Sequence, residues 1–339
     1  MPSTAGVPGP AHRERPDDGR PRGLSLPPLM TATPELTVVS TLYRSRPFLE
    51  RFLSECEEAF ALVGCESYEM ILVNDGSPDD SLQFALEARE TRAWLTVVDL
   101  SRNFGHHHAM LAGLQFARGE HVFLIDCDLE VLPSSLKDFR AAMERSRADV
   151  VFGYQEARKG AWFEQISGGL FWKLFNALSD TKIPENIVTE RLMSRRYVDA
   201  LLQLGDVNLF LAGMMSWTGF LQVGMPVVKT QRDGRSTYTL FKRLQLMVNA
   251  VSSFSAKPLH FLFNIGLLIT LLSFSYAAYL VSRKVFFGDA LLGFTSLMAM
   301  LLLTLGILTT ALGILGIYLG RIFRQVQNRP AFIVRDVHR

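Results

Sequence analysis

Short apolar runs alternate with amphipathic stretches over the first half of the chain, and the pattern changes completely near its end. Residues 36–41, 70–73, 95–99 and 122–125 are runs dominated by Val, Leu, Ile and Met, which predict short strands buried on both faces. Between them, 48–62, 81–88 and 107–117 place apolar residues at helical spacing. Strand and helix in alternation predict an α/β domain with a mostly parallel sheet and helices on its faces. In such sheets ligands lie beyond the carboxyl ends of the strands. Asp75 follows the second strand, Ser101 and Arg102 follow the third, and Asp126, Asp128 and Glu130 follow the fourth, so one rim is expected to collect them all.

The last third is a different material. Residues 259–281 contain no Asp, Glu, Lys or Arg, and 291–319 are likewise uncharged, so each exceeds the roughly 20 apolar residues that cross a bilayer. A hairpin at 282–290 would join two spans. Beyond them Arg321, Arg324, Arg329, Arg335 and Arg339 face one acid, Asp336, which by the positive-inside rule places 320–339 in the cytoplasm as a basic tail. Two spans return the chain to its starting side, so both termini and the α/β domain are expected there, at the plasma membrane. Arg283 and Lys284 in the hairpin weaken this asymmetry without cancelling it.

Composition changes the picture little. A net charge of +2 over 339 residues gives no nucleic-acid signal. Residues 1–33, rich in Pro, Gly and Arg, lack an apolar stretch and read as a disordered tail rather than a signal peptide. Cys56, Cys65 and Cys127 show no metal spacing, and their odd number suggests reduced thiols. The expected division is therefore 1–33 tail, 34–238 α/β domain, 239–258 juxtamembrane helix, 259–319 two-span hairpin and 320–339 tail.

The acids after the fourth strand carry the sharpest chemistry. Three carboxylates at alternating positions on a rigid strand end are hard oxygen ligands for Mg²⁺ or Mn²⁺, while an acidic surface turn is the plainer alternative. Arg102, Asn103 and Gly105 precede a helix starting near residue 106, so its first N–H groups would face an anion. His106, His107 and His108 project in different directions on a helix and so cannot all grip one ion. Asp79 and Asp80 read as helix caps.

The segments ILVNDGSPDDS, LSRNFGHHHAMLAGL, FLIDCDLEVLP, RLMSRRYVDAL and DGRSTYTLFKRLQLMVNAVSSFSAKPL occur in this order from about Leu36 to the chain end. In this they resemble glycosyltransferase family 2, and most of all its polyprenyl-phosphate group, which contains dolichyl-phosphate mannose synthase and the bactoprenol glucosyltransferases. The resemblance implies a GT-A (Rossmann-like) fold and inverting transfer of a sugar from a nucleoside diphosphate donor to a polyprenyl phosphate acceptor. It also implies a nucleotide contact at Asp75, donor contacts at Arg102, Asn103 and Asp126, and a metal site at Asp126, Asp128 and Glu130 that neutralises the diphosphate. Asp128, Arg191 and Arg232 are the residues expected to carry catalysis.

A phosphate acceptor is already anionic, with a second pKa near 6, so no strong general base is required. The site must instead hold two anions together, which calls for cations. Arg158, Lys159, Arg191, Arg232 and Arg235 are candidates, each alternatively a solvated surface charge. The chain departs from the family in several places. His106 stands where relatives often have Lys, Glu130 where they have Gln, Gln231 and Thr237 where they have Arg and Lys, and Thr189 where they have an acid. Phe163, Ile166, Leu170, Leu174 and Leu178 recur at helical spacing, as do Leu240, Leu244, Met247, Val251 and Phe254, and either helix could lie in the membrane interface or pack on the sheet. A non-catalytic binding protein for lipid phosphate or nucleotide sugar is the alternative from another class. A processive polysaccharide synthase is a further alternative, although no Q-x-x-R-W segment is present. Gly316 and Gly320 form a G-x-x-x-G that permits homo-oligomer contacts.

Overall fold

The computed structural model describes residues 33–155, 183–184, 186–206, 209–229, 255–287 and 293–339. The first four strands are β1 (Leu36–Leu42), β2 (Tyr68–Asn74), β3 (Leu95–Leu100) and β4 (His121–Leu124). They pair in parallel in the order β4-β1-β2-β3, with Leu36 opposite both Tyr68 and His121, and Met70 opposite Leu95. Every residue of β1 is buried, as an apolar run at the centre of a sheet covered on both faces requires.

Helices α1 (Arg46–Leu62), α2 (Ser81–Glu90) and α4 (Leu136–Ser146) cover one face. On that side Phe52, Leu53 and Phe60 of α1 are fully buried, each stabilising the fold by roughly 1.5–3 kcal/mol. Helix α3 (His106–Phe116) covers the other face together with α5 (Arg195–Leu202) and α6 (Leu211–Trp217). Gly113 lets α3 lie close on the sheet, because a Cβ there would stand 2.3 Å from Val39 Cγ1.

The mostly parallel α/β sheet is as expected, but it is wider than the periodicity indicates. Strands β5 (Val150–Tyr154), β6 (Ile187–Ser194) and β7 (Gln222–Pro226) extend it beyond β4, and β8 (Val334–His338) closes the far side. The order is β7-β5-β6-β4-β1-β2-β3-β8, with β6 antiparallel to both β4 and β5, and β8 antiparallel to β3. The basic tail is thus partly an edge strand. Ser101 donates its N–H to the carbonyl of Ile333 at 2.9 Å where β8 begins.

Helices α7 (Lys257–Phe287) and α8 (Phe294–Val326) are long and apolar enough to cross a membrane over Lys257–Tyr276 and Leu303–Val326. The first outruns its uncharged stretch at both ends and the second at its C-terminal end, since helix propensity does not stop where charge begins. Their large side chains, Phe263, Phe274, Leu303 and Leu319 among them, stay exposed. The three cysteines are buried and unpaired. Residues 1–32, the predicted helix at 163–178, and most of the predicted juxtamembrane helix, 239–254, lie outside the described residues.

Candidate functional site

The rim at the carboxyl ends of β1 to β4 gathers most of the predicted residues. Past β4 the chain alternates strictly: Cys127 and Leu129 are buried, while Asp126, Asp128 and Glu130 are half-buried on the other side. Leu129 takes a left-handed φ of 60°, a conformation that costs a leucine about 1–2 kcal/mol, and its burial holds the turn in place. Asp128 Oδ1 accepts the Glu130 N–H at 3.1 Å across that turn.

The three acids are not treated alike. His106 reaches Asp126 with Nε2 at 3.3 Å, and its Nδ1 sits 3.0 Å from the Thr41 hydroxyl, so the imidazole bridges β1 to the acid rim. Burial, then the charges of Glu130 and Asp126, raise the Asp128 pKa. Glu130 is paired: its Oε2 accepts from Lys229 Nζ at 2.7 Å. Among the described residues no three His, Cys, Asp or Glu side chains are gathered as a metal-holding group. Lys229, which follows β7, holds Glu130. Burial disfavours the Lys229 ammonium, but its bond to Glu130 and the charges of Glu190 and Glu130 outweigh that and raise its pKa.

Glu190 is a member of this cluster that sequence reasoning passed over. It is 1% exposed on β6, and its Oε2 has no hydrogen bond among the described residues. Burial, and after it the charge of Asp126, raise its pKa to about 7. Its neighbour Arg191 points to the opposite side of the strand and is buried as well. The Arg191 guanidinium donates to the carbonyls of Thr189 and Val188, each at 3.0 Å, and to the Met215 thioether. Burial presses its pKa down, against the pull of Tyr197 and Glu190.

Arg191, Lys229, His107, Gln155 and Asn186 stand in the wall of a cavity of about 360 Å³ beside the rim. Burial and the neighbouring His106 lower the His107 pKa, which favours a neutral imidazole there. A cavity of about 340 Å³ lies at the other end of the strands, where Arg140 pairs with Glu35 and Arg196 with Asp149.

Asp75, expected at a nucleotide contact, is tied into the loops beside the rim. It is 2% exposed, and its two oxygens accept the N–H groups of Phe104 at 2.7 Å and Gly105 at 3.0 Å. Asn103 Nδ2 donates back to the Asp75 carbonyl at 3.0 Å. The turn after β2 and the loop after β3 are therefore stitched together. Gly76 makes this fit possible: its φ is 59°, and a Cβ would stand 2.5 Å from the Asn103 nitrogen. Arg102 is exposed, stacks over Phe104 at 4.0 Å and donates to the Asn103 carbonyl at 2.9 Å. Asp79 accepts the Ser81 N–H at 3.3 Å and so caps α2, whereas Asp80 makes no cap bond and lies 3.5 Å from Arg46. Arg158, Lys159, Arg232 and Arg235 lie outside the described residues.

Residues 37–202 match the family Glycosyl transferase family 2. A chain of Mycobacterium tuberculosis grouped with the glycosyltransferases is 37% identical over 303 residues, covering 89% of this chain and 88% of that one. The bactoprenol glucosyl transferase of Shigella phage SfII is 33% identical over 277 residues, covering 80% and 88%. Among solved structures, a mannosyltransferase from Pyrobaculum calidifontis in complex with GDP-Man and Mn2+ is similar with a TM-score of 0.46 at 19% identity, over 88% and 86% of the two chains.

Proposed function

The chain belongs to glycosyltransferase family 2, and we propose that it transfers a sugar from a nucleoside diphosphate donor, UDP-linked, to a polyprenyl phosphate, with inversion at the sugar carbon. The observation that carries this reading is the meeting of opposite charges at one rim. The carboxyl groups of Asp126, Asp128, Glu130 and Glu190 crowd one side, while Arg191 and Lys229 stand in the wall of the adjoining cavity. Two long apolar helices follow in the same chain, which supports an acceptor carried in a membrane.

The rim suits a divalent cation of the Mg²⁺ or Mn²⁺ type. Its donors are hard oxygens, and burial, with the neighbouring carboxylates adding to it, raises the pKa values of Asp128 and Glu190. Asp126 and Asp128 would hold the ion, and Glu130 would have to leave Lys229 to join them. When bound, the ion would offset the charge that develops on the diphosphate leaving group.

The other roles fall to the chain's own groups. His106 orients Asp126, and Asp75 sets the paired loops against which the nucleotide would rest, with Arg102 at their exposed edge. The acceptor oxygen is anionic, so it attacks the sugar carbon without a strong base while the bond to the diphosphate breaks. Arg191 supplies fixed positive charge, its guanidinium held in place by the carbonyls of Thr189 and Val188 and the Met215 thioether. Arg232 is assigned to the acceptor phosphate.

The tail strand β8 lies in the catalytic sheet, which supports a hairpin that leaves and returns on one side of the membrane, with that side cytoplasmic. The product would be a lipid-linked sugar for the cell envelope.

The test is transfer of label from UDP-, GDP- and dTDP-sugars to undecaprenyl phosphate by the purified protein with Mn²⁺. A chloroform-soluble product from one donor, absent with chelator, is the expected result. No product from any donor, with lipid phosphate still bound, would overturn the catalytic reading in favour of a binding protein.

A further inference from the structure

Arg335, in the C-terminal strand and 236 residues from its partner Asp99, sits at the end of a hydrogen-bonded line into the rim. Its Nη1 donates to Asp99 Oδ2 at 3.0 Å, and its Nη2 donates to the Ser101 carbonyl at 2.7 Å. The Asp99 side chain is 4% exposed, and its other oxygen accepts from Asn74 Nδ2 at 2.7 Å. Asn74 Oδ1 in turn accepts the Ser77 N–H at 3.1 Å, inside the turn that carries Asp75 and Gly76. The second arm reaches the residue before Arg102, at the start of the loop stitched to that turn by Asp75. One guanidinium thus grips both halves of the paired loops from behind.

We infer that Arg335 is a positioning residue for the donor nucleotide, setting the 74–77 turn through Asp99 and Asn74 and the 101–105 loop through the Ser101 carbonyl. This rests on the reading of those loops as the nucleotide platform. The Arg335 side chain is 55% exposed, so its removal leaves little unfilled space and the strand pairing of β8 intact. What it loses is geometric. Asp99 keeps its bond from Asn74 but no longer has a charge fixing its other oxygen, and the two loops are free to shift against each other. Nucleotide affinity is sensitive to such shifts, because donors misplaced by about 1 Å lose much of their effect. Lysine cannot span Asp99 and Ser101 together as the planar fork does.

The experiment uses full-length protein in detergent with Mn²⁺ and measures binding of UDP, GDP and dTDP by calorimetry, followed by donor and acceptor kinetics with the nucleotide that binds. Arg335→Ala is expected to weaken nucleotide binding and raise donor KM about tenfold, with kcat and acceptor KM within twofold and little change in Tm. Arg335→Lys should recover part of the loss. Arg339→Ala, which removes the same charge from another exposed position of the tail, should match wild type. Arg335→Gln, which stays polar but is too short to span Asp99 and Ser101, serves if the alanine variant is not obtained folded. Asn74→Ala combined with Arg335→Ala should cost less than the sum of the two single losses, because both cut the line through Asp99, while the Ser101 arm is lost only with Arg335. Wild-type-like nucleotide binding in the Ala or Gln variant, or a full loss mirrored in Tm and acceptor KM, would overturn the inference alone. Failure of wild type to bind any nucleotide would overturn the reading of the platform as well.

Discussion

The acid rim and the apolar hairpin satisfy their polar groups by opposite means. At the rim, several charged groups are matched over long sequence separations: Lys229 with Glu130, Arg335 with Asp99, and Asp75 with the backbone of Phe104 and Gly105. In α7 and α8 the hydroxyls of Thr270, Ser275, Thr304 and Thr310 each bond the carbonyl four residues earlier, so every one is satisfied within its own helix. Such closure is required in hydrocarbon, where no water is available to an open hydroxyl. The rim uses tertiary structure to concentrate charge, whereas the hairpin uses local structure to hide polarity. A substitution should therefore act through the chemistry in one region and through the solvent in the other.

The sharpest separation of the two is Asp128→Asn. Transfer to lipid phosphate should fall at least about 10³-fold, equivalent to roughly 4 kcal/mol, while membrane association is untouched. Activity within tenfold of wild type would remove Asp128 from the centre of the site.

A pH series probes the crowding itself. Glu190 rises from 4.5 unfolded to about 7 folded, so the fold favours its neutral form. Its contribution is fully present below pH 4.5 and is lost as pH climbs through 7, a swing of up to about 3 kcal/mol. Denaturation of metal-free protein between pH 4.5 and 7.5 should show stability declining with rising pH, and Glu190→Gln should flatten that slope. An identical slope in the variant would place the titrating group elsewhere.

The hairpin is tested by Leu312→Arg at an exposed apolar position of α8. Insertion should be penalised by about 2.5–3.5 kcal/mol, read as protein lost from the carbonate-resistant membrane fraction. Unchanged retention would mean that α8 does not meet lipid.

The smallest contrast pairs two glycines. Gly113→Ala drives a methyl into Val39 and should cost about 1–3 kcal/mol in catalytic-domain stability, whereas Gly316→Ala, with nothing within 4 Å, should change it by less than about 0.5 kcal/mol. A loss of self-association in Gly316→Ala alone would show that the helix face serves contact between copies.

Apolar runs covered on both faces carry their own signature, which is why β1 to β4 and the helices between them were legible from periodicity. The alternation after β4 likewise pointed to one acid face, and burial follows it residue by residue. The remaining strands resist such reading because their burial is conferred by partners far away. In β6, Glu190 and Arg191 look like surface charges until β4 and β5 flank them. The β8 sequence Val-Arg-Asp-Val-His reads as part of a basic tail, and only its register against Val97 to Leu100 makes it a strand. Lys229 offered no signal either, since its pairing with Glu130 spans 99 residues. Asp75 was picked out for its position after a strand. Its burial comes from Gly76 admitting the neighbouring loop, a close approach that no local pattern encodes.

Where the hairpin meets the rest of the chain, Tyr318 of α8 donates its hydroxyl to the Ser255 carbonyl at 2.8 Å, just before α7 begins. The outgoing and returning chain are thus pinned at one point, and β8 anchors the return beyond the end of α8. A domain on a single tether swivels freely about it, whereas one held by two adjoining cords has lost that rotation. A substrate diffusing in the plane of a bilayer would then meet the rim at a fixed height and a fixed bearing, and its search would be reduced to two dimensions.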